Sequence, residues 1–381
     1  MADRWRVGLA ASLVGALSCG GGGTTPSEGR APARLADTRA APSAEGVIRL
    51  AADAPLVAGE AGRLRATWRE PRPLAEPFTW WSSDTSVVDV DGFGRLFPRR
   101  AGTAELVVRA EGERQAVTVD VAPAPADAFR VRFSFATPPL AGERIAYERA
   151  AARLQRVVQR AEPASLLFAG PTGQFCGGLP TDQPVQGVLV RVARWVSAAP
   201  GVVGEGMPCV MDARGRALGG VVRIRDGWRD STLAHGSAFD TLLVEAVALH
   251  EMGHVLGLAG VPGWTSDRGA PPYARWLLPA TRDEPWRWTG PAALAVAGGA
   301  AAIPLAGDPS HWATGPLALD DLMRPMLDPL AGLSAISVGV LRDRGYDVDP
   351  ARAERRLDIR LPGVAPALID VHGRPAAVSA R

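Results

Sequence analysis

The spacing of hydrophobic and polar positions changes along the chain, and each change predicts a different kind of structure. Residues 7–17 form a short apolar run, whereas residues 20–44 contain few large apolar side chains. From about residue 47 apolar and polar positions alternate, and from about residue 129 alternating segments are mixed with apolar positions at helical spacing. The predicted order is a leader (1–19), a flexible linker (20–44), an all-β domain (45–123), an α+β domain (127–350) and an extended tail (351–381).

Short alternating segments separated by turn residues predict that the all-β domain is a small sandwich. Its predicted strands are residues 64–68, 86–90, 104–108 and 117–121. In the α+β domain, residues 141–160 carry apolar side chains at near-helical spacing and predict a long helix. Predicted strands there are residues 129–135, 187–192 and 220–224, and the first should be an edge strand. The chain is therefore multidomain, which its 381 residues allow.

The leader has the features of an export signal. Arg4 and Arg6 precede the apolar run, which is too short for the roughly 20 residues that a bilayer span needs. The run ends in Ala16-Leu17-Ser18-Cys19 and a glycine stretch, which resembles the lipobox of bacterial lipoproteins. This resemblance implies a lipid anchor at Cys19 that attaches the exported protein to a membrane. An ordinary cleaved signal with an incidental cysteine stays open, and it also predicts export.

Charge and cysteine content narrow the partners and the redox environment. The 42 basic and 40 acidic residues are spread along the chain, so no nucleic-acid partner is predicted. Thiols tend to pair in an oxidising compartment, and Cys176 and Cys209 are the two cysteines left beyond the leader. We expect them to form a disulfide worth about 3–4 kcal/mol. Two buried free thiols are the alternative.

The chemistry lies in His250-Glu251-Met252-Gly253-His254. Ser237 or Asp240 is a suitable N-cap for a helix through this motif, and Gly257 is a suitable end. Histidines four residues apart lie on one helical face and can both present nitrogen to one Zn²⁺ ion. Glu251 is rotated by about 100° from His250 and suits a base for metal-activated water. The motif predicts a zinc hydrolase; a helix that merely displays two histidines is the alternative.

Residues 250–257 resemble the metzincin pattern, in which a glycine turns the chain toward a third histidine. That position is Gly260 here, so the third ligand must come from His235, His311 or His372. His311 is favoured because Asp321-Leu322-Met323-Arg324-Pro325 follows it and resembles the Met-turn of metzincins.

A delayed third histidine is typical of the leishmanolysin family, and the resemblance spans about residues 129 to 349. Further similar segments are residues 201–204, 208–209, 289–293, 310–312 and 341–346. The resemblance implies a metzincin-type α+β domain in which His250, His254 and His311 bind one Zn²⁺. Glu251 would act as general base, and Met323 would pack beneath the imidazoles. Ala313-Thr314 departs from the acidic residues that relatives often carry after the third histidine.

The all-β domain carries a second resemblance. Residues 80–96 and 101–104 are similar to the group 2 bacterial Ig-like domain, which serves as a spacer or an adhesive unit. The expected function is a zinc endopeptidase that cleaves protein or peptide substrates outside the cell or at its surface. Two alternatives stay open: an inactive surface adhesin or binding lipoprotein that uses the Ig-like domain, and hydrolysis of a non-peptide bond. The tryptophans at 264, 276, 286 and 288 either line the cleft or pack in the core.

Overall fold

The computed structural model of the chain describes residues 48–357, with gaps, and two short strands further on. The gaps are residues 53–54, 70–76, 163–175, 177–178, 180–184, 197–201, 213, 235, 259–274, 308 and 319. The further strands are Leu368–Ile369 and Pro375–Ala376, which pair antiparallel. The predicted leader with Cys19 and the linker lie outside the described residues, as do His235, Trp264 and His372.

Residues 48–122 form a β-sandwich of two four-stranded sheets. Its strands are β1 (Ile48–Ala52), β2 (Leu56–Val57), β3 (Gly62–Trp68), β4 (Thr79–Ser82), β5 (Val88–Val90), β6 (Arg95–Pro98), β7 (Gly102–Ala110) and β8 (Glu113–Ala122). One sheet has the order β1-β3-β6-β5 and the other β2-β8-β7-β4. Leu64 and Leu96 from the first sheet meet Leu106 from the second in a shared core. The predicted all-β domain is therefore confirmed as a sandwich.

Three of its four predicted strands lie within longer observed strands, but the strand predicted at residues 86–90 begins only at Val88. The Asp84 carboxylate accepts hydrogen bonds from the backbone nitrogen of Ser86 (2.9 Å) and from its hydroxyl (2.6 Å). These bonds fold residues 84–87 into a turn, because aspartate side chains compete with strand pairing for nearby backbone donors.

Residues 128–357 form an α+β domain. Its first elements are β9 (Arg130–Phe135), α1 (Ala141–Val157), β10 (Val158–Arg160), β11 (Gly187–Trp195), β12 (Gly204–Met211), β13 (Ala217–Arg225), α2 (Asp226–Leu233) and α3 (Ala238–Val255). Then follow β14 (Leu277–Leu278), β15 (Arg287–Trp288), α4 (Pro291–Val296), β16 (Ile303–Pro304), α5 (Ala335–Asp343) and β17 (Asp347–Val348). The main sheet has the order β12-β13-β11-β9, so β9 is an edge strand as predicted.

The main sheet is mixed, and α3 packs against it. Strands β9, β11 and β13 run parallel, whereas β12 pairs antiparallel with β13 at the other edge. Helix α1 buries a row of small residues, including Ala146 and Ala150, which lets it lie close to α3. Helix α3 is buried from Val244 to its end at Val255, so the polar side chains from Glu245 onward are held in a protein interior.

Two predicted boundaries were wrong: the end of the helix that begins at residue 141, and the start of the tail. The helix predicted over residues 141–160 ends at Val157, because Val158 takes an extended conformation and pairs with Val348 of β17. The tail predicted from residue 351 does not begin there. Residues 350–352 form a 3₁₀ turn, and the following Glu354 carboxylate binds Arg153 of α1. Residues 351–357 therefore belong to the α+β domain. Among the described residues, no helix combines the length and apolar character required to cross a membrane.

Candidate metal centre

The motif of residues 250–254 lies in the last two turns of α3. Ser237 is the N-cap: its hydroxyl accepts a hydrogen bond from the backbone of Asp240 at 3.1 Å, and the Asp240 carboxylate accepts one from the Ser237 backbone at 3.0 Å. This reciprocal capping box fixes where the helix starts. After Leu256, Gly257 adopts a φ of 85°, a left-handed conformation that glycine tolerates at a helix end. Both predicted boundary signals are used.

Three buried histidines converge beside this helix. The Nε2 atom of His250 lies 3.0 Å from Nε2 of His254 and 3.2 Å from Nε2 of His311. All three imidazoles are at most 1% exposed. The sequence separates His311 from His250 by 61 positions, and the fold brings their ring centroids within 5.2 Å. Among the described residues, these three side chains form a group able to hold one metal ion.

The spacing fits a tetrahedral zinc site. Two nitrogens that each lie about 2.0–2.1 Å from zinc at a tetrahedral angle are roughly 3.3 Å apart. The two Nε2 separations measured from His250 are close to this value. Nδ1 of His250 lies 2.8 Å from the Leu322 carbonyl oxygen, and because a carbonyl only accepts, Nδ1 carries the proton. Nε2 of His250 therefore presents a lone pair toward the other two rings.

Burial also favours the neutral ligand form of His254. Desolvation, followed by the neighbouring imidazoles of His250 and His311, holds the pKa of His254 well below its usual value of 6.5. Metal binding requires an unprotonated imidazole nitrogen. The site therefore supplies His254 in a state that can coordinate a metal at neutral pH.

Glu251 is fully buried between α3 and the edge strand β12. A Cβ atom placed on Gly204 would lie 2.3 Å from Oε1 of Glu251, and one on Gly206 would lie 2.1 Å from its backbone oxygen. At Gly206 only glycine allows the strand to pass so near to the helix backbone, whereas at Gly204 the nearest atom is the end of a side chain. On another side, burial, then Glu143, then Glu251 raise the pKa of Tyr147 well above 10, so Tyr147 stays protonated. The sequence alone gave no geometric reason for Gly204 or Gly206.

Met323, which the Met-turn resemblance predicts beneath the imidazoles, packs against the motif helix at Gly253. A Cβ on Gly253 would lie 2.6 Å from its sulfur, so the methionine packs directly against the motif. The turn is held by Asp321, whose buried carboxylate accepts from the Met323 backbone nitrogen at 2.7 Å. The same carboxylate accepts from the hydroxyls of Ser334 and Ser337. Burial raises the pKa of Asp321 despite these bonds. The two serines are supporting residues that sequence reasoning missed.

His311 is held through the peptide group that joins it to Trp312. Its carbonyl accepts from Ala306 at 2.8 Å, and the next residue, Trp312, donates its backbone nitrogen to Met323 at 3.0 Å. The Trp312 indole is buried and donates to the Ser337 hydroxyl at 3.1 Å. The third histidine and the methionine are therefore held in one backbone arrangement.

The remaining site predictions concern cysteines and tryptophans. Cys176 and Cys209 are joined by a disulfide with their Cα atoms 5.6 Å apart, and Cys209 belongs to β12. Trp288 is fully buried and donates its indole N–H to Asp343 at 3.2 Å, so it packs in the core and does not line a cleft. Trp276 and Trp286 pack partly buried against the same core.

Comparison with known proteins gives partial similarities. No protein-family model and no curated protein matches the chain. An intimin mutant from EHEC O157:H7 is 17% identical over 20% of this chain and 41% of its own, with a TM-score of 0.16. The S-layer protein rSbsC is 17% identical over 23% of this chain and 17% of its own, with a TM-score of 0.19. A chain of an intimin–Tir90 complex is 14% identical over 22% of this chain and 52% of its own, with a TM-score of 0.19. The chain thus spans about half or less of each of these proteins.

Proposed function

We propose that the chain is an exported zinc-dependent endopeptidase of the leishmanolysin-like metzincin type, acting on proteins or peptides outside the cell or at its surface. The observation that carries the proposal is the convergence of three buried histidine Nε2 atoms, two of them on the helix that also carries the buried Glu251. We propose from the sequence pattern that Cys19 carries a lipid anchor and that the sandwich is an Ig-like module.

His250, His254 and His311 would hold Zn²⁺, which when bound supplies Lewis-acid chemistry and lowers the pKa of water to about 7. Glu251 would accept a proton from the nucleophile and return it to the departing amine. Its carboxylate is confined by Gly204 and the helix, so its position is set before a substrate arrives. The Leu322 carbonyl holds the His250 ring, and Met323 closes the space under the motif.

A second candidate function is a surface adhesin or binding lipoprotein whose hydrolytic activity is weak or lost. The sandwich and the Ala313-Thr314 departure favour it. Retention of Glu251 in its confined position favours the peptidase. Hydrolysis of a non-peptide bond by the same residues is a further alternative, because the ligand set does not specify the bond that is cleaved.

Metal analysis combined with protein digestion tests the proposal. The purified wild-type chain should contain one zinc ion and digest casein, and Glu251→Gln should slow digestion at least about 100-fold while zinc is retained. Glu162→Gln, at an exposed position away from the histidines, is the matched control and should digest like wild type. Absence of stoichiometric zinc, or full digestion by Glu251→Gln, would contradict the peptidase. Zinc binding with Glu251-dependent cleavage of ester probes but of no protein would favour the non-peptide alternative.

A further inference from the structure

A network of buried charges joins the sandwich to the helix that carries the metal motif. Arg95 of β6 is 5% exposed, and Glu245 of α3 is fully buried. The Arg95 guanidinium donates to both carboxylate oxygens of Glu245, at 2.5 and 2.8 Å, and to Asp91 at 2.6 Å. This two-pronged geometry fixes orientation as well as distance. A side chain of the sandwich is therefore a direct partner of the motif helix.

The network continues into the domain that holds the histidines. Arg153 of α1 donates to the same Glu245 carboxylate at 3.1 Å and makes two bonds of 2.8 Å to Glu354. It also donates to the Ala331 carbonyl at 3.2 Å, while Glu354 accepts from the Leu333 backbone nitrogen at 3.0 Å. The arginine thus connects Glu245 to the segment of residues 331–333.

That segment leads to the metal site. The Leu322 backbone nitrogen donates to the Gly332 carbonyl at 2.9 Å, and the Leu322 carbonyl accepts from Nδ1 of His250 at 2.8 Å. Arg95 therefore reaches His250 by two physical connections. One runs along α3, in which Glu245 lies five positions before His250, and the other runs through Arg153 and the residue 331–333 segment.

The contact between sandwich and α1 extends beyond this network. The Ala61 backbone nitrogen donates to the Ala152 carbonyl at 2.9 Å. Arg149 binds Asp89 at 3.1 Å and lies over the Phe97 ring at 4.8 Å. These bonds hold the sandwich against α1, so Arg95 meets Glu245 in a fixed orientation.

Burial makes the charges mutually dependent. Desolvation acts against the charged form of Arg95, but Glu245 and Asp91 outweigh it and raise its pKa. The same balance holds for Arg153, where Glu354 and Glu245 overcome desolvation and raise the pKa. If Arg95 is removed, Glu245 keeps a buried charge with one partner fewer, which is a strongly unfavourable arrangement. The helix would have to shift or admit water to relieve it.

We propose that Arg95 is a positioning residue for the metal centre, which makes the sandwich a structural part of that centre and not a detachable spacer. Arg95 acts through Glu245 and touches neither the histidines nor Glu251. As far as it concerns zinc, the inference rests on the proposed function.

The test compares full-length variants that lose an arginine at two places on the same interface. Arg95→Met removes the buried partner of Glu245. Arg99→Met is the matched control, because Arg99 also lies in the sandwich and binds Glu148 of α1 at 2.8 Å, but with both side chains more than a third exposed. Arg95→Lys keeps the charge and loses the two-pronged bond. Zinc affinity is measured by chelator competition, and amide hydrogen exchange is measured on the metal-free proteins.

Arg95→Met should weaken zinc binding about tenfold and speed exchange in residues 238–255 and 331–335. Arg95→Lys should recover part of both losses, and Arg99→Met should match wild type. An Arg95→Met protein that matches Arg99→Met in both measurements would overturn the proposal. If Arg95→Met does not fold, the Arg95→Lys protein is the test. Zinc affinity and hydrogen exchange equal to those of the wild type would then also overturn the proposal. Failure of the wild type to bind zinc would refute the proposed function, while exchange in the metal-free proteins would still decide the positioning role.

Discussion

Replacing Gly204 by alanine should disable the proposed hydrolytic activity without impairing zinc binding. The added Cβ would lie 2.3 Å from Oε1 and 2.9 Å from Cδ of Glu251, and 2.9 Å from Cγ1 of Val247. The strand backbone is fixed by pairing with β13, in which Gly204 lies opposite Ile224. The end of the Glu251 side chain is the easiest group to move. The overlap is therefore relieved by the carboxylate that the proposed reaction needs in place.

The size of the effect follows from the overlap. Restoring ordinary contact moves the carboxylate by roughly 1 Å, and a misplacement of that size costs about 100-fold in rate. This corresponds to about 2.7 kcal/mol of activation free energy. The cost to folding should be smaller, because a flexible side-chain end gives way. Zinc content should be unchanged, since the three heavy atoms nearest to the added Cβ belong to Glu251 and Val247 and not to a histidine.

Peptide hydrolysis, zinc content and thermal unfolding are measured on Gly204→Ala and on Gly219→Ala. Gly219 lies in β13, and a Cβ there would meet its nearest neighbours only at 3.5 Å, an ordinary contact. The control should therefore keep wild-type turnover. Wild-type turnover by a folded Gly204→Ala protein, or an equal loss in both variants, would refute the confinement of Glu251 by this strand.

Two further predictions concern stability. The lowered pKa of His254 means that the unfolded chain takes up a proton below pH 6.5 while the folded chain does not. Stability of the metal-free protein should thus be full above this pH and fall below it, by up to about 1.4 kcal/mol per pH unit. Denaturation midpoints at several pH values should show this slope, and His254→Asn should flatten it. Replacing Cys176 and Cys209 together by serine should lower the free energy of unfolding by about 3–4 kcal/mol, and an unchanged urea midpoint would contradict a stabilising disulfide.

The local features of the site could be predicted from the sequence because their determinants are close together in the chain. The spacing of His250 and His254 defines one helical face, and Ser237 with Gly257 marks the ends of the helix. Alternation likewise predicted three of the sandwich strands, β3, β7 and β8, since a strand with one buried face repeats every two residues. His311 came from a family resemblance, and no spacing rule would have selected it.

The supporting residues could not be predicted in this way. Arg95 and Glu245 are separated by 150 positions, and neither stands in a pattern that names the other. Gly204 resembles any glycine in a strand until the fold places Glu251 against it. The predicted start of the tail at residue 351 was wrong for the same reason, because composition suggested an extended segment and only the three-dimensional structure supplies Arg153 as a partner for Glu354.

The two arginines that bind Glu245, Arg95 and Arg153, also limit which sandwich domains can be joined to this α+β domain. A sandwich grafted from another chain would fit the α+β domain only if it placed a guanidinium opposite Glu245 and a carboxylate behind it, as Arg95 and Asp91 do. A graft that lacks these two groups would leave the buried carboxylate of Glu245 on the motif helix without its partner from the sandwich. Exchange of this module is therefore constrained by charge, and the four groups Asp91, Arg95, Glu245 and Arg153 would have to be transferred or redesigned as a set.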